Sequence, residues 1–179
     1  MKIRRLGPIV QLAYVVNDLH LAIRQWTSKL CVGPFSILER VKYREHEIDG
    51  VRTSPIMSLA FAYSGDLQIE LVQVHDDEKS VVRSYPPSQE TGFHHVGILS
   101  EDMPADETRL AAAGLRRVAR GVSETGVQTA FYLGGSHAGG LVELIRVDDQ
   151  VTEFFNALKR AAAEWDGTTL YATPPHGES

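Results

Sequence analysis

Alternation of apolar and polar positions runs twice through the same order of elements. Residues 8–16 (PIVQLAYVV) are apolar and β-branched and predict a strand. Its side-chain period puts Gln11, Ala13 and Val15 on one face and Leu12, Tyr14 and Val16 on the other. Asn17-Asp18 then offers a helix cap. Leu19, Ile23, Trp26 and Leu30 recur at helical spacing until Gly33-Pro34 stops the helix. Three strands are expected near 35–43, 57–63 and 67–74, with a longer loop over 44–56 and a tight turn at Ser64-Gly65-Asp66. The polar stretch 76–91, which contains Pro86-Pro87, reads as a linker over the surface.

The pattern then restarts. HHVGILSEDM matches QLAYVVNDL when His95 is set on Gln11, Val96 on Leu12, Gly97 on Ala13 and Asp102 on Asp18. A helix near 105–113 closes at Gly114, and strands follow near 115–119, 128–133 and 141–147. Residues 1–75 and 92–149 are thus two modules of strand, helix and three strands. Residues 150–179 supply a last helix, about 150–165, and a polar tail over 168–179 expected to fray. Phe154, Phe155, Leu158 and Trp165 give that helix an apolar stripe to pack on a sheet or on a second subunit.

Four residues of the repeat carry chemistry. Gln11 and His95 open matching strands, and Glu70 and Glu143 lie inside later ones (LQIELVQV and LVELIRV). A bare carboxylate flanked by apolar residues is costly to bury. Two of them with a neutral imidazole and an amide carry a charge of −2, which one divalent cation neutralises. Gln68, Glu70 and Val72 share a face, as do Leu141, Glu143 and Ile145, and as do His95, Gly97 and Leu99. The small Ala13 and Gly97 beside the ligands leave room for an ion and a substrate. His94 competes with His95, but neighbouring strand residues point to opposite faces and the register with Gln11 favours His95.

Composition narrows the partners. A net charge of −5 and a pI near 5.8 argue against a nucleic-acid or anionic-membrane surface. No window approaches the ~20 apolar residues of a membrane span, and the first ten residues lack a signal-peptide apolar run. The single Cys31 excludes an internal disulfide and suits a cytoplasmic, reducing compartment. Its place at a helix end reads as a small buried hydrophobe. Glycine-rich GGSHAGG (134–140) lacks the Lys-Ser/Thr ending of a phosphate loop and reads as a hairpin connection that brings His137 near the site. Arg44, His46 and Arg52 read as a solvated loop, with recognition of an anionic substrate as the alternative.

QLAYVVNDLHLAIRQW, LQIELVQ, HHVGILSEDM and LVELI, in this order, resemble the vicinal oxygen chelate superfamily, the group of glyoxalases, bleomycin resistance proteins and dioxygenases. The resemblance covers roughly residues 8–147. It implies an α+β fold in which two βαβββ modules form an open, incomplete β-barrel, here with a C-terminal helix added. It places the metal ligands at Gln11, Glu70, His95 and Glu143, a set similar to the eukaryotic type of glyoxalase I. The ion expected is zinc, manganese, cobalt, nickel or magnesium, and the assembly a homodimer. The implied reaction is proton abstraction beside a carbonyl through a metal-stabilised enediolate or enolate, as in a glyoxalase-like lyase, an isomerase or an epimerase. Glu143 is its base and Glu70 its partner across a small-molecule substrate.

Val15 and Val74 stand where glutathione-binding members carry arginine and asparagine, so a glutathione adduct is not expected. Methylmalonyl-CoA epimerases use a further glutamate, matched here by Thr53 unless Glu45 or Glu47 turns inward. With Gln11 in the first position, the two-histidine iron site of ring-cleaving dioxygenases is incomplete. The rival readings are a metal-free, antibiotic-sequestering binder of the same fold and a partner-binding protein using the C-terminal stripe. Tyr43, Tyr63 and Tyr132 are candidates for the pocket wall.

Overall fold

The computed structural model describes residues 6–85, 90–134 and 140–172. Strand alternation works as expected in β1 (Ile9–Val15), which buries Gln11, Ala13 and Val15 and turns Leu12 and Tyr14 toward α1 (Leu19–Leu30). The Asp18 carboxylate accepts the Leu21 N–H at 2.8 Å and caps that helix. Leu19 and Ile23 of α1 are buried against Ala60, Ala62, Ile69 and Leu71, a burial that contributes about 1.5–3 kcal/mol per large side chain. The first half continues with β2 (Ser36–Val41), β3 (Tyr43–Ile48), β4 (Val51–Arg52), β5 (Met57–Ser64), β6 (Leu67–Val74) and the short α2 (Val81–Ser84).

The second half repeats the scheme as β7 (Gly92–Ser100), α3 (Met103–Ala112), β8 (Arg116–Ser123), β9 (Gln128–Leu133) and β10 (Leu141–Arg146). Asp102 caps α3 through the Ala105 N–H, the counterpart of Asp18. α4 (Asp149–Ala163) closes the series, capped by Asp148 on the Val151 N–H. The described strands form one sheet in the order β2-β5-β6-β1-β7-β10-β9-β8-β3-β4. β1 runs parallel to β6 and β7 parallel to β10, while β1 and β7 pair antiparallel and join the halves. β2 and β3 lie toward opposite ends of this order although only Lys42 separates them, so the sheet curls into an open barrel.

Several expectations change. The predicted 35–43 strand ends at Val41. It is kinked where the β2–β5 register shifts and Arg40 takes a φ of 50°. The supposed loop 44–56 contains most of β3 and all of β4, with β3 pairing on β8. The linker does not simply run over the surface: Ser80, Val81 and Val82 are buried, the two valines in the barrel interior. Cys31 is exposed, because it takes the left-handed position that ends α1, and Leu30 is exposed beside it. The start of the tail is docked: Phe35 donates its N–H to the Leu170 carbonyl and accepts from the Ala172 N–H, both at 2.9 Å. Pro86-Pro87 and His137 lie outside the described residues. Among the described residues no helix is long and apolar enough to cross a membrane.

Candidate metal centre

The register of four adjacent strands sets the four predicted residues on two rungs of the inner face. Gln11 and Glu143 stand on either side of Gly97 on one rung. Glu70 and His95 stand on either side of Ala13 on the next. Strands are about 4.8 Å apart, so side chains flanking a glycine or an alanine converge over it. Ligand atoms of Glu70, His95 and Glu143 all lie within 4.8 Å of one another. The four residues are buried, at 2% exposure for Gln11, 6% for Glu70, 3% for His95 and 7% for Glu143.

His95 Nε2 stands 3.3 Å from Glu70 Oε2 and 3.2 Å from Glu143 Oε2, yet it has no hydrogen-bond partner among the described residues. Gln11 donates its amide N–H to Gln68 Oε1 at 2.7 Å, which leaves Gln11 Oε1 buried without a partner among the described residues. Two carboxylates, an unsatisfied imidazole nitrogen and an unsatisfied amide oxygen aimed inward are the donor set a divalent cation takes. Burial pushes the His95 imidazole down, but the charges and contacts of Glu143 and Glu70 outweigh it and hold the pKa at about 9. Burial raises the Glu143 carboxyl against the opposing pull of His95.

The walls also follow the repeat. Phe61 pairs directly across from Glu70 and Phe131 directly across from Glu143, so each glutamate has a phenyl ring on its rung. The Phe131 ring packs edge-on to His95 at 5.2 Å. Phe61 in turn meets Phe154 of α4 edge-on at 5.4 Å, and Leu158, Phe155 and Tyr63 complete that cluster. The apolar stripe of the last helix therefore covers the face of the sheet that carries Glu70.

Three residues near the site escaped the sequence reading. His94 is buried inside the barrel with its Nδ1 2.8 Å from His95 Nδ1. The β1–β7 register jumps from Ala13↔His95 to Tyr14↔Phe93, so His94 is the extra residue of a β-bulge and escapes the alternation that sent it outward. Burial holds its imidazole down at about 3. Gln68, assigned a face but no role, holds Gln11. His46, expected on a solvated loop or against an anionic substrate, is buried beside Tyr43.

Tyr43 separates from the other two tyrosines. Burial, then the charges of Glu70 and Glu143, raise its phenol pKa. Tyr63 belongs to the α4 cluster, and Tyr132 to the α3 core with Ile98, Leu110 and Leu144. A register shift at Arg44 lets Tyr43 and His46 both face inward, with rings 5.0 Å apart. His46 Nδ1 lies 2.7 Å from Thr53 Oγ1, and burial pushes its pKa down to about 4. Neither alternative glutamate turns in: Glu45 is exposed toward Arg120, and Glu47 lines an outer cleft with Asp49 and Arg116. Arg44 and Arg52 are exposed.

Comparison with known proteins bears on this geometry. The sequence model of the glyoxalase/bleomycin resistance protein/dioxygenase superfamily matches residues 10–133. No curated protein matches the chain. Among solved structures, a hypothetical protein from Bacillus halodurans superposes with a TM-score of 0.58 at 17% identity, over 80% of this chain and 96% of its own. A methylmalonyl-CoA epimerase from Mycobacterium tuberculosis gives 0.53 at 19% identity, over 85% and 97%. A selenomethionine methylmalonyl-CoA epimerase gives 0.54 at 18% identity, over 82% and 100%. At these identities the likeness is one of fold.

Proposed function

Because this chain belongs to the glyoxalase/bleomycin resistance protein/dioxygenase superfamily, we propose that it is a metal-dependent enzyme that removes a proton from the carbon beside a carbonyl. The observation that carries the reading is the convergence of Glu70, His95 and Glu143 within 4.8 Å at a buried point where His95 Nε2 has no hydrogen-bond partner among the described residues. Gln11 completes the ligand set, its Oε1 orphaned on the same face. A divalent cation held there would supply Lewis-acid polarisation of the substrate carbonyl.

The protein side of the reaction follows from the rungs. Glu143 takes the proton, its basicity increased by burial. Glu70, two strands from His95 and three from Glu143 in the sheet order, faces the substrate from the other half and can return a proton on the opposite side. That pairing fits an epimerase, an isomerase or a glyoxalase-like lyase step. The folds shared with proteins named methylmalonyl-CoA epimerases agree with the epimerase arm. Phe61 and Phe131 exclude water beside the two carboxylates, and Tyr43 offers a hydroxyl from the wall. A small-molecule substrate, a homodimer and a cytoplasmic setting belong to the same proposal.

The test is proton–deuterium exchange on α-hydroxy ketones, aldehydes and acyl-CoA thioesters, run on chelated protein and after adding Zn, Mn, Co, Ni or Mg. Metal-dependent exchange on at least one class, lost in Glu143→Gln, is expected. A protein that binds no cation and exchanges nothing would instead be the sequestering binder.

A further inference from the structure

We propose that His94 is a positioning residue for the metal centre: its Nδ1 accepts a hydrogen bond from Nδ1–H of His95 and so keeps the His95 Nε2 lone pair aimed at the cation. The inference rests on the metal reading above, but its geometry stands in the protein alone. The β-bulge in β7 turns both imidazoles into the barrel, and their Nδ1 atoms are 2.8 Å apart. Two ring nitrogens at that distance need one proton between them, since two lone pairs or two N–H groups would repel.

His95 decides which ring holds it. Its Nε2 is the atom that faces Glu70 and Glu143, at 3.3 and 3.2 Å. A ligating nitrogen must present its lone pair, so the proton of the neutral ring sits on Nδ1. Among the described residues no other group hydrogen-bonds to His95 Nδ1. His94 therefore accepts at Nδ1 and carries its own proton on Nε2, a buried atom without a hydrogen-bond partner among the described residues. The two ring planes stand at 79° with centroids 5.2 Å apart, and the Phe131 ring packs edge-on to His95. The usual partner of a ligating histidine is a carboxylate or a carbonyl. An imidazole in that place adds no charge, which leaves the ligand set at −2 for a divalent ion.

Two measurements test this. In apoprotein labelled with 15N at histidine, a scalar coupling across the Nδ1–H···Nδ1 bond should link His94 and His95, with or without metal. Its absence overturns the proposal, whatever the metal result. In calorimetric titration with Mn2+, His94→Asn, whose Oδ1 can accept in place of Nδ1, should stay within about 3-fold of wild type, while His94→Phe should bind roughly 10- to 100-fold more weakly. Equal affinity in folded His94→Phe also overturns the proposal. A wild-type protein that takes up no cation defeats the metal reading instead, and the coupling alone then decides the role of His94.

Discussion

Replacing Gly97 by alanine should damage stability and metal uptake together. A Cβ on Gly97 would stand 2.8 Å from Gln11 Cβ and closer still to Gln11 Oε1. The Gln11 backbone cannot retreat, because β1 is laddered to β6 on one side and β7 on the other. The amide must therefore swing away and give up its 2.7 Å bond to Gln68. Overpacking of this kind costs about 1–3 kcal/mol, and the lost buried hydrogen bond adds about 1 kcal/mol. Urea unfolding of chelated protein should report a loss of roughly 2–4 kcal/mol on these terms. Because Gln11 Oε1 moves off the centre, Mn2+ affinity should also fall about tenfold or more, as when a supporting group is lost. Gln11→Gly removes both clashing atoms, so the double variant should be more stable than the two single losses predict, with a coupling of at least about 1 kcal/mol. A Gly97→Ala protein within about 0.5 kcal/mol of wild type and unchanged in Mn2+ affinity would refute the packing of this rung.

Glu143→Gln should keep the fold and lose proton exchange by about 100-fold or more, the usual contribution of a positioned base; stopped-exchange mass spectrometry measures it. Leu158→Ala, at a position 3% exposed in the α4 cluster, should cost about 2–5 kcal/mol in thermal or urea unfolding, with unchanged mass by light scattering. His46 gives a pH dependence whose sign is fixed by its depressed pKa. The native state keeps the ring neutral down to about 4 while the unfolded chain protonates near 6.5, so its contribution is complete above pH 6.5 and is lost as pH falls toward 4. The loss amounts to about 3 kcal/mol in all. His46→Gln should flatten the fall in unfolding free energy between those pH values, and an unchanged slope would remove His46 from the account.

The repeat was legible because both halves obey the period of two from a capped helix onward: Asp18 and Asp102 cap corresponding helices, and the inner-face sets around Gln11, Glu70 and Glu143 are as alternation predicts. His95 does turn its Nε2 toward Glu70 and Glu143, but the reason that sends His94 outward fails at the bulge. A one-residue insertion in a ladder leaves no mark in composition. The hairpin β3–β4 was hidden for a related reason. The register shift at Arg44 breaks the alternation of YREHEI, and its ladder partner β8 is remote in the chain. The stripe on α4 was plain, whereas its seat beside Phe61 depended on long-range packing. The buried Val81 and Val82 stood in a stretch dominated by charge, where two valines are too weak a signal to outweigh their neighbours.

Val41 and Tyr43 flank a single residue yet join strands near opposite margins of the sheet. The polypeptide thereby sews its two repeats together at a second seam, far from the antiparallel contact of β1 with β7. A fragment ending after Tyr85 would carry an orphan strand, Tyr43–Ile48, whose ladder mate had been left on the other piece. The complementary fragment would present β8 as a raw, adhesive edge. Neither repeat owns all of its hydrogen bonds, so the pair must melt as one body.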